Sequence, residues 1–178
     1  IKFNTWEETF DAIKDLFSKE TSRHPELLNN EKLTVSDKKR IDSLVAGDCS
    51  VVELSSALAT LSYALHEYHG VAPIIIIDEY DTPIQQGRIK GFYDEVIDFM
   101  RNLFSGGLKD NQHISYGFLT GILRVAKESI FSGLNNLKIN SVLDNKYSSY
   151  FGFTSDEVKA LTRYYGVSEK YEEICLWY

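Results

Sequence analysis

Pro73-Ile74-Ile75-Ile76-Ile77-Asp78-Glu79-Tyr80-Asp81 is the stretch on which the fold turns. Four consecutive β-branched isoleucines cannot make a one-sided amphipathic element. They suit a strand covered on both faces, as at the centre of a parallel sheet. Open α/β sheets bind ligands beyond the carboxyl ends of their strands. A strand ending in Asp78-Glu79 therefore sets two carboxylates on that rim, the pattern called Walker B. In a nucleotide hydrolase the first acid holds Mg²⁺ through water, and the second orients or deprotonates the attacking water. The competing reading of both acids is a solvated strand end. Asp81 adds a third carboxylate, as part of a metal-binding cluster or as the cap of the turn before Pro83; spacing alone favours the cap.

Outward from this strand the periodicity is helical. Thr5-Trp6-Glu7-Glu8 has the form of a capping box and predicts a helix over 6–19, with Phe10, Ile13, Leu16 and Phe17 on one face. The polar stretch 21–34 reads as loop or broken helix, and 36–45 as a short helix stopped by Gly47. Ser50-Val51-Val52-Glu53 opens a helix whose Leu54, Leu58, Leu61, Leu65 and Tyr68 share a face up to Gly70. Beyond the acids, Asp81, Pro83 and Gly87 mark a loop. A helix from Phe92 ends near Gly106-Gly107, and 114–120 forms the second strand. Thr154-Ser155-Asp156-Glu157 caps a helix that stops before Gly166, and a last short helix begins at Ser168. The order helix–strand–helix–strand–helix favours an α/β class with parallel strands.

If the second strand neighbours the first, Thr120 comes close to Asp78 and Glu79, where its hydroxyl could sense a γ-phosphate or hold the water. Arg124 and Lys127, three apart on the helix expected after Gly121, share a face and could meet phosphate charge; solvated or paired side chains are the commoner outcome. His66 and His69, three apart and off the leucine face, read as exposed histidines rather than metal ligands. His24 and His113 suggest no partners. Cys49, before a helix N-terminus, has an environment that could lower its pKa, but no His or Asp partner makes it a nucleophile. The rings of 147–153 read as a stacking surface or as packing under a loop.

Composition bounds the alternatives. The chain has 178 residues, 43% hydrophobic and 25% charged, with 11 Tyr and 10 Phe. That is ordinary globular composition, sufficient for a sizeable core. A net charge of −7 and a pI of about 5.1 argue against a general nucleic-acid footprint. Two distant cysteines support neither a disulfide framework nor a zinc site, so a reducing, cytoplasmic setting is the expectation. The apolar run 71–77 is too short to span a bilayer. The chain opens at Ile1 and closes on Leu176-Trp177-Tyr178, and both ends read as cuts through a longer protein.

Three segments in order carry a resemblance: Ile77-Asp78-Glu79-Tyr80-Asp81-Thr82-Pro83-Ile84, the run from Leu119-Thr120-Gly121-Ile122-Leu123-Arg124 through Leu137, and Tyr150-Phe151-Gly152-Phe153-Thr154 with Glu157-Val158. Together they closely resemble the AAA-ATPase-like family of bacterial proteins, within the P-loop NTPases. The resemblance implies a three-layer P-loop NTPase-like sandwich of mainly parallel strands, with residues 1–140 a partial ATPase core and 141–178 a helical extension of the same domain. It implies ATP and Mg²⁺ as cofactors and often an attached PD-(D/E)XK nuclease-like domain, the route by which nucleic acid would become a partner. By this resemblance Asp78 is the metal and nucleotide acid, Glu79 the water-activating acid and Thr120 a sensor. Arg124 is a motif arginine, and Asp81 and Lys127 lie on the nucleotide side. The chain departs from the pattern in lacking GxxxxGK[ST], and with it the strand and loop that cradle phosphate. Three functions follow: part of an ATP-hydrolysing domain that regulates an effector, a non-catalytic NTPase-fold scaffold, or a metal-dependent nuclease or phosphohydrolase using Asp78, Glu79 and Asp81. A sheet short of a strand would leave apolar surface open, so self-association is expected, along with no tight binding of ATP by these residues alone.

Overall fold

The computed structural model describes residues 2–122, 130, 131, 134, 137–142 and 144–177. They divide into two compact units, Ile1–Leu137 and Lys138–Tyr178. The first carries α1 (Trp6–Ser22), α2 (Val35–Ala46), α3 (Val51–Ser55), α4 (Ala57–His69), β1 (Ile74–Ile77), α5 (Thr82–Lys90), α6 (Tyr93–Leu108) and β2 (Tyr116–Leu119). The second carries α7 (Ser155–Tyr164) and α8 (Tyr171–Trp177). The class is α/β with helices in the majority, and the sheet among the described residues is a single parallel pair, β1 beside β2.

Side-chain capping starts α1, α2, α3 and α7. Thr34 with Asp37, Ser50 with Glu53 and Thr154 with Glu157 form reciprocal capping boxes. Before α1 the box is half made. Thr5 accepts from the Glu8 N–H, while the Glu8 carboxylate takes the Asn4 N–H instead of that of Thr5. The expected single helix from Ser50 to Gly70 is two, α3 and α4, broken at Ser56. Their buried line runs through Leu54, Ala57, Leu61 and Ala64, with Tyr68 exposed.

One glycine reading is corrected. The segment after Asp81 is not loop but α5, with Pro83 in the first turn, where its missing N–H costs nothing. A Cβ on Gly87 would lie 2.8 Å from Val96 Cγ1, so glycine there lets α5 close on α6. α6 ends at Leu108, next to Gly106-Gly107 as expected, and a Cβ on Gly107 would lie 2.5 Å from that of Leu58. Both glycines permit close helix approach, Gly87 inside α5 and Gly107 one residue before the end of α6.

α6 is the hub of the first unit, packing against α3, α4 and α5. Phe104, fully buried, stacks on Phe131 with centroids 6.0 Å apart, and Tyr80 meets both rings edge-on. A second aromatic group joins Trp6, Phe10 and Phe99. Full burial of a ring such as Phe99 or Phe104 contributes about 1.5–3 kcal/mol.

The sheet has one covered face. Ile75, Ile77 and Leu119 turn inward, and Gly117 leaves room for Leu108, whose Cδ2 would be 2.8 Å from a Cβ there. The other face is open: Ile74 is 54% exposed, Ile76 71%, Tyr116 64% and Phe118 52%. The expectation of isoleucines covered on both sides is therefore corrected for these residues. The helices supply one layer and nothing described supplies the other.

Candidate functional site

The parallel register decides the site. Ile77 pairs with Leu119, so Asp78 and Thr120 leave the sheet side by side at the carboxyl ends of both strands. The Thr120 hydroxyl donates to Asp78 Oδ1, which also takes the Glu79 N–H at 3.0 Å. The condition set by the sequence, that the two strands be neighbours, is met.

The rim is not regular strand. In a parallel ladder, Ile77 C=O accepting from the Thr120 N–H should be followed by the Glu79 N–H donating to Thr120 C=O. The first bond is present at 2.9 Å, but Thr120 C=O accepts instead from Tyr80, one residue later, at 3.0 Å. Glu79 is thus an extra residue, as in a β-bulge, and its φ of 51° lies in the left-handed region, which costs a non-glycine residue about 1–2 kcal/mol. Its N–H turns to Asp78 Oδ1 and to Thr120 Oγ1, the latter at 3.4 Å. Asp78 and Glu79 therefore do not alternate across a strand as sequence periodicity would have it. Both are exposed at the rim, and Glu79 Oε2 accepts from the Thr82 hydroxyl at 3.3 Å.

Asp81 lies elsewhere. It is 1% exposed, and its Oδ2 accepts from Gln85 Nε2 at 2.7 Å and from the Ile122 N–H at 3.1 Å. Its side chain makes no capping bond to α5, against the expectation of a turn cap. Arg124 and Lys127 lie outside the described residues.

An exposed carboxylate beside a hydroxyl is a hard-oxygen donor set. It fits a Mg²⁺ ion held largely through water, with Asp78 as the protein acid. Among the described residues no three His, Cys, Asp or Glu side chains converge to hold a metal ion by themselves.

The other candidates are structural. Sequence reasoning left His113 without a partner, yet its Nδ1 lies 3.1 Å from that of His66, and Asn111 ties its backbone N–H to Ser62 and Gly107. Only the long-range return of the chain creates these contacts, so no local signal could have found them. His24 contacts Glu26 and Glu20. Burial pushes the Cys49 thiol up, with Glu53 adding to it, so the lowered pKa considered from its place before a helix is corrected. Tyr150, Phe151 and Phe153 are exposed rather than packed under a loop.

Comparison with known proteins bears on the same residues. A family model described as a predicted AAA-ATPase matches residues 1–131. An uncharacterized protein in the vnfD 5′ region of Azotobacter chroococcum mcd 1 is 32% identical over 131 residues, which cover 73% of this chain and 25% of that protein. The chain thus spans about a quarter of the length of the curated relative it matches. No solved structure matches this chain.

Proposed function

Because the chain belongs to the predicted AAA-ATPase family, we propose that the rim of β1 and β2 is the acid and sensor side of an ATP-hydrolysing site. The bond between the Thr120 hydroxyl and Asp78, made where two parallel strands end together, carries this reading. Bound Mg²⁺ would neutralise phosphate charge as the γ-phosphoryl group is transferred to water. Asp78 would hold that ion through water. Glu79, aimed from the bulge, would orient the attacking water and take its proton. Thr120 touches Asp78 and the Glu79 N–H together, so a change at the phosphate end reaches both acids. In the intact protein we assign this site to the control of an attached effector, with the sheet extended into a three-layer sandwich. The open face around Ile76 and Phe118 is the surface through which the isolated chain would self-associate.

The second reading is a non-catalytic NTPase-fold scaffold; in the intact protein a GxxxxGK[ST] shortly before Ile1 favours the enzyme, and its absence there favours the scaffold. The metal-dependent nuclease reading is weaker. It needs Asp81 beside Asp78 and Glu79, and that carboxyl group is buried on Gln85 and Ile122.

The test is Mg²⁺-ATP binding and turnover by the intact protein and by its Asp78→Asn and Thr120→Ala variants. The ATPase reading predicts Mg²⁺-dependent turnover in the wild type, lost in Asp78→Asn and reduced in Thr120→Ala. Nucleotide binding without turnover selects the scaffold. Residues 1–178 alone should show no micromolar affinity for Mg²⁺-ATP in calorimetric titration.

A further inference from the structure

Asp81 is the buried acid that the proposed chemistry does not use. Its surroundings are specific. The backbone ladder between the two strand ends closes with Thr120 N–H to Ile77 C=O and Tyr80 N–H to Thr120 C=O. The next donor along the β2 side, the Ile122 N–H, finds no backbone carbonyl of the bulged turn; the Asp81 carboxyl group takes it at 3.1 Å. A side chain thus supplies the rung that the bulge at Glu79 displaces. Gln85 of α5 holds the same oxygen at 2.7 Å and so fixes the carboxyl group from the helix side.

Gly121 completes the fit. A Cβ there would stand 2.7 Å from Asp81 Oδ1 and 2.9 Å from Tyr80 Cε1. The segment 120–122 therefore lies directly on the carboxyl group and on the Tyr80 ring. That ring is anchored against Phe104 and Phe131. The turn is held to the core on one side and to the end of β2 on the other.

We propose that Asp81 is a positioning residue: its carboxyl group latches the Thr120–Ile122 segment onto the bulged turn and thereby sets the contact between Thr120 and Asp78. As far as turnover is concerned, this rests on the ATPase reading of the rim. Asp81 touches no reacting atom. It acts through the placement of Thr120, and Gly121 is the residue whose lack of a side chain permits it.

Two measurements separate this proposal from the reading beneath it. The first is amide hydrogen exchange on the 178-residue chain. Asp81→Ala should speed exchange at Thr120, Tyr80 and Ile122 by at least about tenfold, with Phe104 in α6 unchanged. Gly121→Ala, which forces the carboxyl group away from the opposite side, should do the same and covers the case in which Asp81→Ala fails to fold. Asp81→Asn keeps an acceptor oxygen for the Ile122 N–H, so it should stay within about threefold of wild type. The second is steady-state ATP turnover by the intact protein. Asp81→Ala should lower kcat by about tenfold or more with KM within about twofold, and Asp81→Asn should restore most of it. Unchanged exchange at Thr120 in both Asp81→Ala and Gly121→Ala overturns the latch, whatever the kinetics. Faster exchange with kcat unmoved in an active wild type overturns the positioning role. A wild type without turnover overturns the ATPase reading, and the exchange data still decide the latch.

Discussion

The two units use the same local chemistry and differ in what lies beneath it. Thr34, Ser50 and Thr154 each open a helix with a reciprocal capping box. In Ile1–Leu137 those helices also bury Ile41, Leu44 and Leu54 in a core that includes Phe104. In Lys138–Tyr178 the described residues bury only Thr162, while Tyr150, Phe153, Tyr164, Leu176 and Trp177 stay exposed. A cap contributes about 1 kcal/mol, a buried large side chain about 1.5–3. Capping announces where a helix begins; burial decides how firmly it is held.

Four substitutions or conditions test that contrast, in falling order of effect. Phe104→Ala should cost the first unit about 3–5 kcal/mol in denaturant unfolding and leave the exchange protection of α7 as it was. If both units lose protection together, they are not separate in stability. Gly107→Ala drives a Cβ into Leu58 and should destabilise the same unit by about 1–3 kcal/mol. Ile76→Lys with Phe118→Lys should weaken self-association by roughly tenfold or more in sedimentation, at little cost in folding, because both side chains are more than half exposed. A wild-type chain that stays monomeric at high concentration removes this surface from the account. Glu79→Gly relieves a left-handed backbone and should stabilise the chain by up to about 1 kcal/mol, even as it removes the proposed base.

The smallest effect is pH dependence. The Thr154 N–H, and then its hydroxyl, hold the Glu157 carboxyl group below its ordinary range, and Ser50 does the same for Glu53. A carboxyl group whose folded pKa is lowered stabilises above its unfolded pKa and loses that contribution as pH falls through the lower, folded value. With Leu54 fully buried beneath it, α3 should persist on acidification, while α7 should fray. Backbone chemical shifts across an acid titration would show this, and Glu157→Gln should remove the pH dependence of α7.

What the sequence made legible follows from the range of the interactions. Capping boxes, the isoleucine strand and the second strand are local patterns, and the structure contains them. The nearness of Thr120 to Asp78 was conditional on strand order, which the register supplies. Gly87 read as a break because a glycine's local meaning is flexibility, whereas here it is room for a neighbouring helix. The bulge at Glu79 and the burial of Asp81 were not legible: each depends on where Thr120 and Ile122 return in space, some forty residues later. The open sheet face was not legible: the lack of a phosphate-cradle strand predicted exposed strand edges and helix faces, and the isoleucines predicted cover on both sides.

In the proposed reaction Glu79 is the residue that activates water at the rim. Single-turnover hydrolysis of Mg²⁺-ATP by the intact protein, wild type against Glu79→Gln, tests it most directly. The predicted result is retained nucleotide binding with turnover lowered by at least about a hundredfold. Hydrolysis by the Glu79→Gln protein within about twofold of wild type would contradict it.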